Sequence, residues 1–324
     1  MDDDEKIEVV TEAETPVAKP QMSDAAKAKA AKKKKRKKIR RVILWIVVVL
    51  AIIADISVAL YPTVSDYFNS RNQSRAVSRY RDEVMSKPPD TRQEMLEAAR
   101  AYNKRLLGKG NRFKPTEEDI EEYMSLLDIG SGVMAVLEIK KIDVSLPVYH
   151  GTDSGVLQVG AGHMMGSSLP VGGKGTHSFL TGHRGLPSSR LLTDLSKLEI
   201  GDTFTVYVLG EILTYEIDDI STVLPYEVEA LEIDPNEDYC TLLTCTPYGV
   251  NSHRLLVRGT RIDTPEEEVT ANVEMYMESA VAPPKFTISI NVIIMLIPVF
   301  VLIILLIATR GKKKKKKSKK AKTK

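Results

Sequence analysis

Cys245 is the first candidate for a nucleophile in this sequence. It ends a β-branched and apolar run at residues 239–245, and a Thr-Pro-Tyr-Gly turn signal separates this run from a second one at residues 254–262. The pattern predicts a strand, a loop and a returning strand, with Cys245 at a strand end, where a scaffold presents reactive groups. The returning strand can bring the guanidinium of Arg254 beside the sulfur, which favours the thiolate. The alternative interpretation of a lone cysteine is a small buried hydrophobic residue.

A cysteine nucleophile works with a base, and five histidines are available: His150, His163, His177, His183 and His253. None of them has a metal-binding spacing such as His-Glu-x-x-His, and no cluster of carboxylates or cysteines would complete a ligand set, so we expect no metal. Position favours His183, because it follows a predicted strand and opens a loop containing Gly, Leu and Pro. The pattern alone leaves the other four histidines open.

The elements that must position these residues are strands. Eight short runs with strand character follow residue 132, separated by turns rich in Gly and Pro: residues 133–139, 144–149, 178–181, 203–209, 212–217, 222–224, 239–245 and 254–262. Only residues 189–198 interrupt them with helical character. The pattern predicts an all-β domain over residues 132–263, a closed or nearly closed eight-stranded β-barrel with short helices.

A helical region precedes the barrel, at residues 62–131. Apolar residues recur there at helical spacing, and a Lys-Pro-Pro-Asp stretch at residues 87–90 interrupts them. We expect Thr91 to cap the second helix, with Glu94 completing a capping box, and Thr116 to start a short acidic third helix.

Charge is strongly segregated along the 324 residues. Residues 1–60 and 286–324 hold 24 of the 46 lysines and arginines, so residues 61–285 hold 22 of them against 34 aspartates and glutamates, a net charge of −12. The acidic middle argues against a nucleic-acid partner, because such binding needs clustered Lys and Arg on the folded domain.

Both basic ends adjoin apolar segments, residues 42–61 and 287–309. Each is about 20 residues long, enough to cross about 30 Å of hydrocarbon as a helix. Positive flanks stay in the cytoplasm, so we expect a two-pass cell-membrane protein with both termini inside and the barrel outside. The basic runs then serve as topology signals and as contacts for anionic lipid. A cleaved signal peptide is the alternative for the first segment, since Ser57-Val58-Ala59 fits a small-x-small cleavage site.

The predicted order of domains follows from these boundaries. It is a disordered basic cytoplasmic tail (1–41), a transmembrane helix (42–61), an extracellular helical region (62–131), the barrel (132–263), a linker (264–286), a second transmembrane helix (287–309) and a polybasic cytoplasmic tail (310–324).

The chain has only two cysteines, Cys240 and Cys245, and both fall in the predicted exterior domain. They face opposite sides of one strand, and five extended residues separate their Cα atoms by about 16 Å, beyond the ~7 Å that a disulfide can bridge. We therefore expect both thiols to be free. An unpaired cysteine in an exterior domain indicates a reactive thiol, which favours the nucleophile interpretation of Cys245.

Three motifs resemble those of the sortase family. Residues 241–245 (Thr-Leu-Leu-Thr-Cys) match the sortase TLxTC signature, residues 181–185 (Thr-Gly-His-Arg-Gly) match the sortase histidine motif, and residues 251–259 resemble the arginine strand of class C, the pilin-polymerising sortases. The resemblance extends over about residues 80–262, with supporting segments at 149–152, 162–170 and 172–173. It implies a sortase-like barrel, and two spans around the catalytic domain are also similar to class C.

The resemblance implies a role for each candidate. Cys245 would be the nucleophile, His183 the general acid or base, and Arg254 the residue that holds the substrate carbonyl and the developing oxyanion. A guanidinium and an imidazolium stabilise a thiolate, and a guanidinium can donate several hydrogen bonds to an oxyanion, so the roles suit the residue types.

The other histidines and arginines receive structural or surface roles. Within the family, His150, His163 and His177 are expected to be structural hydrogen-bonding residues. Arg258 should share the face of Arg254 but lie further from the sulfur, and we expect Arg184 and Arg261 at the surface.

One feature of class C departs from its pattern here. Class C enzymes commonly carry an N-terminal lid with an Asp-Pro-aromatic motif that covers the cysteine, whereas this chain has Asn111-Arg112-Phe113 in the corresponding loop. Phe113 is the lid candidate, but no aspartate is available there to pair with Arg254. We therefore expect a weaker lid latch, or none.

The resemblance implies a membrane-anchored cysteine transpeptidase of a Gram-positive surface that needs no cofactor. It would cleave an LPxTG-like sorting signal between Thr and Gly and join pilin subunits through a lysine isopeptide bond, so its partners would be LPxTG-bearing pilin or surface proteins. Three alternatives stay open: anchoring of surface proteins to peptidoglycan, hydrolysis as a thiol protease, and a non-catalytic membrane-tethered binding module.

Overall fold

The computed structural model describes residues 23–227, 231–266 and 269. It divides the chain into two compact units, residues 1–56 and 57–324. The predicted second membrane helix at 287–309 and the tail at 310–324 lie outside the described residues, as do most of the linker and the first 22 residues.

The first helix, α1, extends over Asp24–Ser86. Its part from Ala31 to Ser86 is long and apolar enough to cross a membrane, with a window of mean hydropathy 2.8. The helix begins within the stretch for which we expected no structure. Alanine and lysine dominate residues 25–38, and both have high helix propensity, which accounts for its early start.

Eight strands form a closed barrel in the order β1-β2-β3-β4-β7-β8-β6-β5. Two neighbouring pairs, β2 with β3 and β4 with β7, are parallel, and the others are antiparallel. The strands are β1 (Val133–Ile139), β2 (Val144–His150), β3 (Ala161–His163), β4 (Thr176–Thr181), β5 (Thr203–Val208), β6 (Glu211–Val223), β7 (Asp238–Thr246) and β8 (His253–Ile262). The predicted all-β barrel is confirmed.

Three local predictions of the barrel are wrong. The segments 212–217 and 222–224 belong to one strand, β6, in which a register shift between Ile217 and Asp219 interrupts the alternation of side chains. The three-residue strand β3 was missed because it is too short to show a period. Residues 189–198 contain only a short 3-10 turn at Leu195–Lys197 instead of a helix.

Within the part of the chain that the structure describes, three further α-helices accompany the barrel: α2 (Pro89–Leu107), α3 (Glu117–Ser125) and α4 (Ser154–Val159). Helix α2 begins at Pro89 and not behind a Thr91 cap, because proline is well suited to the first turn of a helix. The prediction for α3 is confirmed, since Thr116 and Asp119 form a reciprocal capping box.

Hydrogen bonds fasten the helical region to the barrel. The Tyr80 hydroxyl donates to the Met134 carbonyl at 2.9 Å. Asn103 of α2 pairs with both backbone groups of Leu169, at 2.9 and 2.7 Å. On α3, the Tyr123 hydroxyl accepts a bond from the Gly151 amide at 2.9 Å. The segment between α2 and α3 is therefore held at both of its ends.

Candidate active site

The strand register brings Cys245, His183 and Arg254 to one end of the barrel. Strands β4 and β7 are parallel, with Thr181 beside Leu243, so the residues two positions further on are His183 and Cys245. Strand β8 returns antiparallel to β7 and pairs Arg254 directly with Cys245. Directly opposed residues of antiparallel strands have Cβ atoms about 5 Å apart. The register thus aligns Cys245 with Arg254 on one side and, on the other, with His183 just beyond the end of β4.

The alternation of faces along β7 is as predicted. Cys240, Leu242 and Thr244 are completely buried. On the opposite face, Leu243 and Cys245 are partly exposed, whereas Thr241 is buried and bonded to His177. Both cysteines are free, and burial raises the pKa of the Cys240 thiol far above its usual range. Cys240 is therefore a core residue, and Cys245 is the thiol that solvent can reach.

The loop that carries His183 is bound to strand β7. The Gly182 amide donates to the Leu243 carbonyl at 3.1 Å, and the Thr244 hydroxyl donates to the Gly182 carbonyl at 2.8 Å. A side chain at position 182 would come within 2.9 Å of Leu192, so the close approach requires glycine. Further along, the Leu192 amide donates to the His183 carbonyl at 3.2 Å.

The β7–β8 loop binds the guanidinium of Arg254. Its Nη1 donates to the carbonyls of Asn251 and His253, at 3.2 and 3.1 Å. Asn251 has a positive φ of 60°, which asparagine tolerates better than most residues, and its amide donates to the Pro247 carbonyl at 3.0 Å. The loop thus restrains the guanidinium at the mouth of the site.

Two of the other histidines have the structural roles that we expected. His163 donates from Nε2 to the Ser168 carbonyl at 2.8 Å, and its Nδ1 accepts from the Tyr123 hydroxyl at 3.0 Å. His177 donates from Nδ1 to the Glu232 carbonyl and accepts at Nε2 from the Thr241 hydroxyl, both at 2.7 Å. Burial lowers the pKa of each ring to about 4, so both rings are neutral at physiological pH.

His150 is structural as well. Its Nε2 donates to the Leu126 carbonyl at 2.7 Å, and its ring contacts that of Tyr123 edge-on. Burial lowers its pKa below the usual range. Within the described residues, no group of three or more His, Cys, Asp or Glu side chains is placed to hold a metal ion.

Arg184 and Arg261 are partly exposed, but each also forms hydrogen bonds that the sequence analysis did not anticipate. Arg184 donates from Nη1 to the Thr246 hydroxyl at 2.9 Å and from Nη2 to the Ser196 hydroxyl at 2.8 Å. Arg261 donates from Nη2 to the Ile212 carbonyl at 3.1 Å. Sequence patterns miss these cross-links, because the partners are remote in the chain or follow no periodicity.

Arg258 lies where the sequence predicted, on the face of Arg254 and further from the thiol. It pairs across the strands with Thr241, four residues before Cys245, and its guanidinium forms a double hydrogen bond with Asp218 at 3.0 and 2.9 Å. The guanidinium also lies over the ring of Tyr239, 4.4 Å from its centre.

The lid candidate Phe113 packs against Gly166. A Cβ atom at position 166 would lie 2.7 Å from the Phe113 ring and 2.5 Å from the Arg112 carbonyl oxygen. The Arg112 guanidinium stacks over the same ring, 4.9 Å from its centre, and donates a hydrogen bond to the Leu231 carbonyl. The segment is therefore held by Arg112, whose role no sequence pattern indicates.

Comparisons with known proteins agree on one family. A sequence model described as the sortase domain matches residues 137–262. Among solved structures, the crystal structure of sortase C1 from Streptococcus agalactiae matches with a TM-score of 0.58 and a sequence identity of 47%. The match covers 59% of this chain and 100% of the sortase C1 chain. The chain belongs to the sortase family.

Other sortases support this assignment. The crystal structure of sortase C-1 from Actinomyces oris is 45% identical with a TM-score of 0.51, covering 54% of this chain and 100% of that one. Sortase A of Streptococcus agalactiae serotype III (strain NEM316) is 29% identical over 117 residues, 35% of this chain and 47% of that protein. This chain thus spans about half the length of that relative. Sortases are transpeptidases, so the predicted enzyme family is confirmed, and its structural neighbours include class C sortases.

Proposed function

We propose that this sortase is a membrane-anchored cysteine transpeptidase of class C that polymerises pilin. It cleaves an LPxTG-like sorting signal between Thr and Gly and joins the new carboxyl end to a lysine of the next pilin subunit. The observation that supports the proposal is the strand register, which pairs Cys245 with Arg254 on β8 and aligns it with His183 just beyond the end of β4. The likeness to two sortases named C1 and C-1 supports the pilin assignment.

In the first half-reaction, the Cys245 thiolate attacks the carbonyl carbon of the substrate threonine. The negative charge that develops on the carbonyl oxygen is stabilised by hydrogen-bond donors of the Arg254 guanidinium. The His183 imidazolium gives its proton to the leaving glycine amine as the C–N bond breaks. The products are a thioester on Cys245 and a free amino terminus.

In the second half-reaction, a lysine amine attacks the thioester carbon. His183, now neutral, takes the proton of this amine, and the C–S bond breaks to release the thiolate. The new C–N bond is an isopeptide bond, and the thiolate and imidazolium are restored. Positioned side chains supply all the proton transfer and charge stabilisation in this scheme, which therefore uses no cofactor.

Membrane attachment would keep the enzyme where its substrates emerge. The apolar part of α1 and the basic residues 32–41 before it favour an anchor with the barrel outside the cell. The second span at 287–309 and the cytoplasmic position of both termini complete the proposed two-pass topology.

The segment 108–115 is the proposed lid, with Phe113 as its aromatic residue. Its contacts with Gly166 and with the Leu231 carbonyl take the place of an aspartate–arginine latch. A guanidinium–carbonyl bond lacks the charge pairing of such a latch, so the lid should open easily.

The decisive experiment follows acyl transfer by intact mass. The full-length enzyme in detergent is mixed with an LPxTG peptide and a pilin domain, and the variants are Cys245→Ala and, as a matched control, Cys240→Ala. We expect a thioester adduct in the parent enzyme and in Cys240→Ala, transfer to a pilin lysine, and no adduct in Cys245→Ala.

Other outcomes would replace the proposal. Transfer only to cross-bridge amines would make the enzyme a wall-anchoring sortase, and release of free peptide acid in every reaction would make it a thiol protease. An enzyme without any adduct, even after deletion of residues 111–115, would be a binding module.

A further inference from the structure

Arg184 connects the histidine loop to the cysteine strand at the level of the reactive groups. It directly follows His183, and its Nη1 donates at 2.9 Å to the hydroxyl of Thr246, which directly follows Cys245. Its Nη2 donates at 2.8 Å to the Ser196 hydroxyl on the next turn. One side chain thus joins the neighbour of the proposed base to the neighbour of the proposed nucleophile.

With this connection, both sequence neighbours of His183 are hydrogen-bonded to strand β7. The last paired residue of β4 is Thr181, so the ladder of strand hydrogen bonds ends before His183. On one side, Gly182 is bonded to Leu243 and Thr244 of β7. On the other side, Arg184 is bonded to Thr246. The two attachments to β7 therefore lie immediately before and immediately after Cys245.

The rest of the loop is held against the same strands. The Gly185 amide donates to the Thr193 hydroxyl at 3.1 Å. The Tyr248 ring, on the β7–β8 loop, covers Gly185 so closely that a Cβ atom there would lie 2.8 Å from the ring. Because the loop is already packed on both sides, a cation is not needed for filling space.

Part of the Arg184 guanidinium is buried, which is energetically unfavourable for a charged group. Its Nε atom is buried and has no hydrogen-bond partner within the described residues. Burying part of a charged guanidinium is unfavourable unless it is compensated, so a neutral side chain would be the cheaper way to bridge two hydroxyls.

We propose that Arg184 is a positioning residue for the transpeptidation reaction. It holds the loop that carries His183 against strand β7 on both sides of Cys245. The inference rests on the proposed roles of Cys245 and His183, and it adds a residue that acts through both of them.

The test compares Arg184→Met and Arg184→Lys with Arg190→Met, all in the full-length enzyme carrying Cys240→Ala. Arg190 is a matched control, because it is an exposed arginine of the same connection that pairs with Asp194 and has no contact with β7 among the described residues. Two quantities are measured: kcat and KM for an LPxTG peptide, and the pH profile of Cys245 alkylation by iodoacetamide.

For Arg184→Met we expect kcat to fall about 10- to 100-fold with KM within about twofold, because orientation is lost and not peptide binding. The midpoint of the alkylation profile should stay in place, because Arg184 is bonded to Thr246, whose side chain lies on the opposite face of β7 from that of Cys245. Arg184→Lys should not restore kcat, because one ammonium cannot bridge Thr246 and Ser196 as a planar fork does. Arg190→Met should match the parent.

A kcat for Arg184→Met equal to that of Arg190→Met would overturn the proposal. A fall in kcat together with a shifted alkylation midpoint would overturn it as well, because charge and not position would then explain the loss. If Arg184→Met does not fold, Thr246→Val removes the hydroxyl that accepts from Arg184 and keeps the arginine. This variant should lower kcat and leave the alkylation midpoint in place. An unchanged kcat would refute the positioning role. Failure of the proposed function is a separate result, since the parent enzyme itself would then form no thioester adduct with the LPxTG peptide.

Discussion

At the scale of single residues, strand β7 carries two thiols of opposite character. Cys240 points into the barrel, and burial raises its pKa far above the usual range. Cys245 lies five residues later on the outer face, at a strand end and opposite Arg254. Because the thiolate is the attacking species, the second environment suits nucleophilic chemistry and the first does not. The position on the strand, and not the residue type alone, separates a core residue from a candidate catalytic one.

Replacing Arg254 by lysine should impair the chemical step. Lysine keeps the charge but not the planar set of donors, and loss of one oxyanion donor typically lowers kcat by about 10² to 10³. We expect a fall of that size for Arg254→Lys with LPxTG peptide, measured by steady-state kinetics. Arg258→Lys, four residues along the same strand, is the control and should lose less than about fivefold. Equal losses in both variants would contradict the role given to Arg254.

His163 and His177 should make the stability of the protein depend on pH. Their pKa is about 4 in the folded state, whereas an unperturbed histidine titrates near 6.5. The unfolded chain therefore binds more protons between these values, and the stabilising contribution is complete above about pH 6.5 and lost as the pH falls towards 4. Each ring should account for about 3 kcal/mol of this loss.

Urea unfolding between pH 4 and 7 measures this effect. We expect the free energy of unfolding to fall with pH more steeply in the parent protein than in His163→Gln or His177→Gln. A double variant with the parental slope would show that neither ring is responsible.

At the scale of elements, alternation and turn signals predicted most of the barrel but not its irregular parts. Seven of the eight strands were located, whereas β3 is too short for a period and the register shift in β6 breaks one. The candidate site residues could be predicted from the sequence because each of them lies at or just beyond the end of a regular strand. The roles of Arg184 and Arg112 could not be predicted, because they depend on partners such as Thr246 and Leu231 that only the folded chain brings close.

The packing of the lid segment, residues 108–115, can be tested by changing Gly166, which it contacts, and not the lid itself. Gly166 has a φ of +91°, and an added Cβ atom would clash with Arg112 and Phe113. Gly173 has a similar φ of +108° and nothing within 4 Å, so alanine there adds the same backbone strain without the clash. We expect trypsin to cleave after Lys109 and Arg112 several-fold faster in Gly166→Ala than in Gly173→Ala.

The same pair of variants tests how tight the latch is. If the parent enzyme is already cleaved as fast as Gly166→Ala, the segment is not latched at all. If its lid is as resistant to trypsin as the barrel, the expectation of a weak latch is wrong.

At the scale of the whole molecule, the distribution of charge constrains orientation more than it constrains the fold. The acidic net charge of residues 61–285 lies between two basic ends, and each basic end adjoins an apolar segment. Membrane insertion keeps such lysine and arginine runs in the cytoplasm. A reactive thiol on the barrel would then act outside the cell, where sorting signals of secreted proteins become accessible.

Cysteine accessibility in intact cells tests this topology. In the background Cys240→Ala with Cys245→Ala, one new cysteine is placed at exposed Ser86 and, in a separate variant, one at Ser318 in the lysine-rich tail. A membrane-impermeant maleimide should label Ser86→Cys in intact cells, and Ser318→Cys only after permeabilisation, because the tail is predicted to be cytoplasmic. Labelling of Ser318→Cys in intact cells would leave a single membrane crossing, and a mature chain that begins near residue 60 would make the first segment a cleaved signal peptide. Retention of the amino terminus together with protection of Ser318→Cys is the result that a two-pass enzyme requires.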